Sequence, residues 1–133
     1  MNSTSLPVQR DWRALVADDD DDTRALVARA LRRAGFDVVE AANGQQLIDS
    51  FDALPSAPTI VVSDIGMPEL DGIDAARVLH QKNPLMPIVL VTAFKDRLTT
   101  DSARDAGASQ VLFKPLNISS LVQLAVSLAK GEV

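Results

Sequence analysis

Two apolar runs in this sequence end on carboxylates. Leu15-Val16-Ala17 leads directly into Asp18, Asp19, Asp20, Asp21 and Asp22, and Thr59-Ile60-Val61-Val62-Ser63 ends on Asp64. Two later runs end on other polar groups: Ile88–Val91 on Thr92, and Val111–Phe113 on Lys114. Carboxylates crowded together raise one another's pKa unless a cation joins them. An oxygen-only donor set suits Mg2+, or Mn2+, in company with a phosphate. A carboxylate nucleophile, a divalent cation, an ammonium and a hydroxyl would together cradle a phosphoryl group. That chemistry requires a fold that brings the four run-ends to one place.

The elements between these residues predict such a fold. Trp12–Ala17 reads as a first strand, followed by a helix opened by Asp20–Asp22 and running to about Ala34. Acids at a helix start suit its dipole, and Leu26, Val27, Ala30, Leu31 and Ala34 recur at spacings of three and four. Phe36–Ala41 is a second strand. Leu47, Ile48 and Phe51 mark a second helix, which closes near Leu54-Pro55. Thr59–Ser63, with no polar interruption, has the pattern of a strand buried on both faces. A third helix runs from Asp71-Gly72 to about Asn83, with His80 on its polar face. Ile88–Val91 is the fourth strand, and a thin fourth helix over roughly Arg97–Ala106 offers only Leu98, Ala103 and Ala106 to a core. Val111–Phe113 is the fifth strand. The last helix opens at Asn117 and turns Ile118, Leu121, Val122, Ala125 and Leu128 inward. Leu124 and Val126 are left to pack locally or to mark a dimer or partner surface.

Strands alternating with helices through short loops predict an α/β fold, a doubly wound five-stranded parallel sheet with helices on both faces. In the flavodoxin-like order 2-1-3-4-5 the first and third strands are neighbours, and ligands bind at their carboxyl ends. Asp18, Asp19 and Asp64 would then meet there.

Composition narrows the class further. The 133 residues fit a single domain, read as a flexible N-terminal arm over 1–11 and one folded unit over 12–133. The chain has no Cys and one His, which excludes disulfide frameworks, thiolate or imidazole metal cages and His-based triads. Asp18 to Asp22 account for the whole excess of acids; without them, 13 acids balance 13 bases. The acidity is therefore local, as a cation site requires, and no basic surface suited to nucleic acid appears. No apolar stretch approaches the roughly 20 residues of a membrane span, and Met1–Asp11 lacks the apolar core of a signal peptide. A cytoplasmic protein is expected.

From about Arg13 to Lys130 the chain resembles a bacterial two-component response-regulator receiver domain of the chemotaxis-receiver type. The matching residues are Leu15-Val16-Ala17-Asp18-Asp19-Asp20, Asp64-Ile65-Gly66-Met67-Pro68 with Asp71-Gly72, Val91-Thr92-Ala93, Ala106-Gly107-Ala108 and Lys114-Pro115. The resemblance implies a signalling phosphoacceptor rather than an enzyme, with only self-phosphotransfer and autodephosphorylation of its own. Asp64 would accept a phosphoryl group from a sensor histidine kinase or a phosphotransfer protein. Asp19 would hold Mg2+ directly, Asp18 mainly through water, and the Gly66 backbone carbonyl would complete the protein ligands. Lys114 would pair with Asp64 and then with the phosphoryl oxygens, across a cis bond to Pro115. Thr92 would swing to the phosphoryl group and switch the surface of the fourth helix, fifth strand and fifth helix. An output domain or partner reached through the last helix, and a homodimer, stay open, as does a place within a longer regulator or hybrid kinase.

Two switch positions depart from that pattern. Val111 stands where such domains usually carry a Tyr or Phe, and neither Phe94 nor Phe113 occupies that place. Phe94, two residues past Thr92, replaces a frequent polar side chain and would shield the acyl phosphate from water. Among competing classes, a metal-dependent phosphohydrolase would want an acid two residues after its nucleophile, where this chain has Gly66. A nucleotide-binding enzyme would want a Gly-rich loop after the first strand, where it has aspartates. A receiver-like interaction module that acts without phosphorylation is the alternative kept alive by Val111.

Overall fold

The computed structural model describes residues 11–132, so the expected arm lies outside the described residues except for Asp11. The strands are β1 (Arg13–Ala17), β2 (Asp37–Ala41), β3 (Ile60–Asp64), β4 (Ile88–Thr92) and β5 (Gln110–Phe113). The helices are α1 (Asp21–Arg33), α2 (Gly44–Ala53), α3 (Gly72–Lys82), α4 (Arg97–Asp105) and α5 (Ile118–Ala129). All strand pairs are parallel, as the alternation of elements predicts, and their order is the expected flavodoxin-like β2-β1-β3-β4-β5.

Side-chain alternation along the strands divides the core into two layers. Leu15, Val61, Ile88 and Leu90 face the layer closed by α2, α3 and α4, with Leu47, Leu79 and Ala103. Ala14, Val16, Ile60, Val62, Val89 and Val91 face the layer closed by α1 and α5, with Val27, Leu31, Leu121 and Ala125. Because both faces are covered, β3 and β4 are buried along their whole length, whereas the edge strands β2 and β5 are partly exposed.

Each helix opens on its own capping side chain. Asp20, Asn43, Asp71, Asp96 and Asn117 accept from the backbone N–H groups of Thr23, Gln46, Asp74, Thr99 and Ser120. Such a cap stabilises a helix by about 1 kcal/mol over alanine by satisfying an otherwise orphaned donor. The caps also set where each loop stops, and the loops at the carboxyl ends of β1, β3 and β4 carry the site.

Several apolar side chains lie elsewhere than their spacing suggests. Leu26 is 52% exposed, and α1 buries Val27, Ala28 and Leu31 instead. The helix is rotated so that Leu26 faces a cleft beside Thr23, Lys114, Pro115 and Ile118 rather than the sheet. Leu98 is 77% exposed, which leaves Ala103 as the one buried side chain of α4. Leu124 and Val126 are half-buried, packed against the α1–α5 layer. His80 is only partly solvated: the residue is half-buried, and its Nδ1 is buried with no hydrogen-bond partner among the described residues. A Cβ on Gly107 would lie 2.3 Å from the His80 ring, and Gly107 also has φ +109°, so two independent constraints require glycine there.

Candidate functional site

The end of β1 and the end of β3 lie side by side, since Ala17 is paired with Ser63 in the sheet. Asp18 follows directly, its N–H donating to the Ala41 carbonyl of β2 at 3.1 Å, so the first residue of the loop is still held by the sheet. Its carboxylate Oδ1 accepts from the Asp20 N–H at 2.9 Å. Asp64 is the last residue of β3 and is buried, as is Asp18; Asp19 is exposed at the rim. Carboxylate oxygens of Asp18, Asp19 and Asp64 all lie within 4.8 Å of one another. This is the meeting of acids that the strand order predicts.

Lys114 comes in from the end of β5. Its Nζ is 3.2 Å from Asp64 Oδ2 and 3.9 Å from Asp18 Oδ2. Its backbone N–H donates to the Thr92 carbonyl at 2.8 Å, and the Lys114–Pro115 bond is cis. Thr92 closes β4, one residue beyond the Val91 that pairs with Asp64, and is only 2% exposed. Its Oγ1 accepts from the Phe94 N–H at 3.0 Å.

Burial pushes the Asp64 carboxyl up from its ordinary value, and the Asp18 charge pushes it further, while Lys114 pulls it back. Asp18 is likewise raised, chiefly by burial, against the opposing pull of the Asp20 N–H and Lys114. Asp20 behaves differently: its bonds with Thr23 hold it low, because its carboxylate serves as the cap of α1. Two buried carboxylates that resist ionisation beside a third acid make an oxygen-only donor set. That set fits a hard divalent cation of the Mg2+ kind, with Asp18, Asp19 and Asp64 as the residues that would hold it.

The loop after β3 is shaped around Asp64. A Cβ on Gly72 would stand 2.1 Å from the Asp64 carbonyl oxygen, so only glycine lets α3 start this close to the strand end. Gly66 is exposed, with no atom beyond its chain neighbours within 4 Å of where its Cβ would be. Val111 is half-buried and packs into the α2–α4 layer, so no ring occupies its place. The Phe94 ring is 67% exposed. Arg24, which carries no motif, is drawn to the site from α1: it donates to the Asp18 carbonyl at 2.9 Å. Its only sequence signal is a lone base just after a run of acids.

Residues 14–126 match the family model described as the response regulator receiver domain. The chain belongs to this family. Receiver domains are the signalling modules of two-component systems, and the fold found here is that of a receiver. Among curated relatives, it is 41% identical over 119 residues to the transcriptional regulatory protein PdtaR of Mycobacterium tuberculosis, covering 86% of this chain and 57% of that protein. It is 33% identical over 109 residues to the DNA-binding transcriptional regulator NtrC of Escherichia coli, covering 82% of this chain and 23% of that one. The chain therefore spans just over half of one relative and about a quarter of the other. Among solved structures, the receiver domain of the Francisella response regulator 1452 superposes with a TM-score of 0.83 at 25% identity, covering 91% of this chain and 98% of that one. A CheY-like receiver domain protein from Methanospirillum hungatei shares the fold with a TM-score of 0.85, covering 92% and 96% at 21% identity. Among the described residues no helix is long and apolar enough to cross a membrane.

Proposed function

We propose that this receiver domain takes a phosphoryl group onto Asp64 from a phosphohistidine of a sensor kinase or phosphotransfer protein, and thereby switches the surface formed by α4, β5 and α5. The observation that carries this reading is the Lys114 ammonium 3.2 Å from the Asp64 carboxylate, inside a cluster of three acids. An Asp64 oxygen forms the new P–O bond as the donor's P–N bond breaks, and the departing imidazole keeps the electron pair and takes up a proton. Lys114 then neutralises phosphoryl oxygen as charge builds there. A divalent cation held by Asp18, Asp19, Asp64 and the Gly66 carbonyl supplies further neutralisation of negative charge when bound.

The Thr92 hydroxyl accepts from the Phe94 N–H, and on this reading it gives up that bond as it moves to the phosphoryl group. Its departure loosens the loop into α4. That helix buries a single side chain, which makes it the helix with the least packing to lose. With Val111 in place of an aromatic, the signal passes through this loop and not through a rotating ring.

The test is mass spectrometry after incubation with Mg2+ and acetyl phosphate. One phosphoryl adduct, absent from Asp64→Asn, supports the reading. A folded protein that never acquires an adduct overturns it in favour of an interaction module that acts without phosphorylation.

A further inference from the structure

Two of the three acids that would grip the cation are consecutive residues of one loop. Asp18, Asp19 and Asp64 repel one another whenever the cation is absent. Something must hold that loop in place against its own charge, and the sheet bond of the Asp18 N–H holds only its near side.

Arg24 holds the far side. Its side chain is only 17% exposed, and its three nitrogens go to three different segments. Nη1 donates to the Asp18 backbone carbonyl at 2.9 Å, in the peptide that joins the two acids. Nη2 lies 2.8 Å from Asp21 Oδ1 on α1, and Nε lies 3.3 Å from Glu40 Oε1 on β2. Glu40 is itself tied down: its Oε2 lies 3.4 Å from Arg32 Nη2, and Arg32 donates to the Val38 carbonyl at 3.2 Å. The Asp18–Asp19 peptide is thus anchored to α1 and to the edge strand at once. Arg24 also lines a small cavity in common with Asp18 and Asp64.

We infer that Arg24 is a positioning residue for the cation site: by clamping the Asp18 carbonyl to β2 and α1, it keeps the Asp18 and Asp19 carboxylates aimed at Asp64. The inference rests on the phosphoacceptor reading above for the identity of the site. Only a guanidinium does this work, because its rigid fork serves three acceptors in one plane, whereas an ammonium is a single point of charge. Partners that orient metal ligands typically govern metal affinity by about 10–100-fold.

Mg2+ titration by isothermal calorimetry, alongside urea unfolding and hydrogen exchange of the Asp20 amide, separates positioning from general support. Arg24→Met is expected to bind Mg2+ at least roughly 10-fold more weakly. Its metal-free Asp20 N–H, which in the parent donates to Asp18 Oδ1, is expected to exchange faster. Arg24→Lys is expected to regain stability through Asp21 and Glu40 but to stay weak towards Mg2+. An unchanged Mg2+ affinity in folded Arg24→Met overturns the inference, as does full rescue of affinity by Lys, since charge alone would then suffice. If Arg24→Met does not fold, Arg24→Lys decides by the same affinity comparison. A parent protein that takes up no Mg2+ and no phosphoryl group overturns the phosphoacceptor reading itself, a distinct result.

Discussion

Lys114 Nζ lies between two buried carboxylates, 3.2 Å from Asp64 and 3.9 Å from Asp18, although fifty residues of chain separate it from Asp64. The ammonium is held there by β5, whose last residue, Phe113, pairs with Thr92 of β4. Lys114→Met removes this charge without removing the stem that packs beside it. Adduct formation from acetyl phosphate is expected to slow by roughly 100-fold, the scale on which a preorganised charge at a developing anion acts. Quenched time courses read by mass spectrometry check this.

The raised carboxyls make metal-free stability depend on pH with a definite sign. Folded Asp64 and Asp18 hold their protons more tightly than the unfolded chain does. As pH rises through the ordinary carboxylate range the unfolded state ionises first, so stability falls, and it stays lower above the raised folded values. Asp64→Asn removes the Asp64 share of this cost. The variant is expected to melt roughly a few degrees higher than the parent at neutral pH without metal, with a flatter pH profile. Thermal melts across the acidic and neutral range test both.

Added Mg2+ should reverse that cost. At about 100 times its dissociation constant, a ligand specific to the folded state stabilises by about 2.7 kcal/mol. At acidic pH protons occupy the same oxygens, and the stabilisation is expected to disappear. In Asp64→Asn it should shrink at every pH. Melting curves with and without Mg2+ at both extremes report it.

Phe94 has its backbone N–H on the Thr92 hydroxyl and its ring mostly in solvent. On the proposed reading, Thr92 would leave that bond and the ring would then be free to cover the acyl phosphate. Phe94→Glu puts a carboxylate where it can orient water instead, and the phosphorylated protein is expected to decay several-fold faster. Following the loss of adduct after removal of acetyl phosphate measures this; equal lifetimes would remove Phe94 from the account.

Gly72→Ala places a methyl group 2.1 Å from the Asp64 carbonyl oxygen. Backbone has to move at the strand end that carries the acceptor, at a cost of about 1–3 kcal/mol. Both the urea midpoint and the rate of adduct formation should fall. A loss of stability with an unchanged rate would mean that α3 shifts and the acceptor does not.

What could be read from the residues in order was whatever depends on near neighbours or on alternation. The apolar runs of β3 and β4, the capping Asp and Asn residues and the run-end acids are local signals; they were enough for a parallel α/β sheet, and the flavodoxin-like order expected of it brings Asp18, Asp19, Asp64 and Lys114 together. The rotation of α1 was not legible, because Leu26 and Val27 both fit a three-and-four spacing and only the docked sheet distinguishes them. His80 looked solvated because its own helix is polar around it, and the glycine that makes room for it lies on the turn after α4.

The sequence by itself determined which chemistry this protein can support: clustered acids, an ammonium and a hydroxyl, each at the end of a strand in an alternating pattern that predicts a parallel sheet. Only the tertiary structure decided how those groups are held. Arg24 reaches across to β2 and to the peptide between two acids, Gly72 yields its side-chain space to Asp64, and Val111 is taken up by the core. These are contacts between segments distant in the chain, set by how helices seat on a sheet, and short-range spacing carries no record of that.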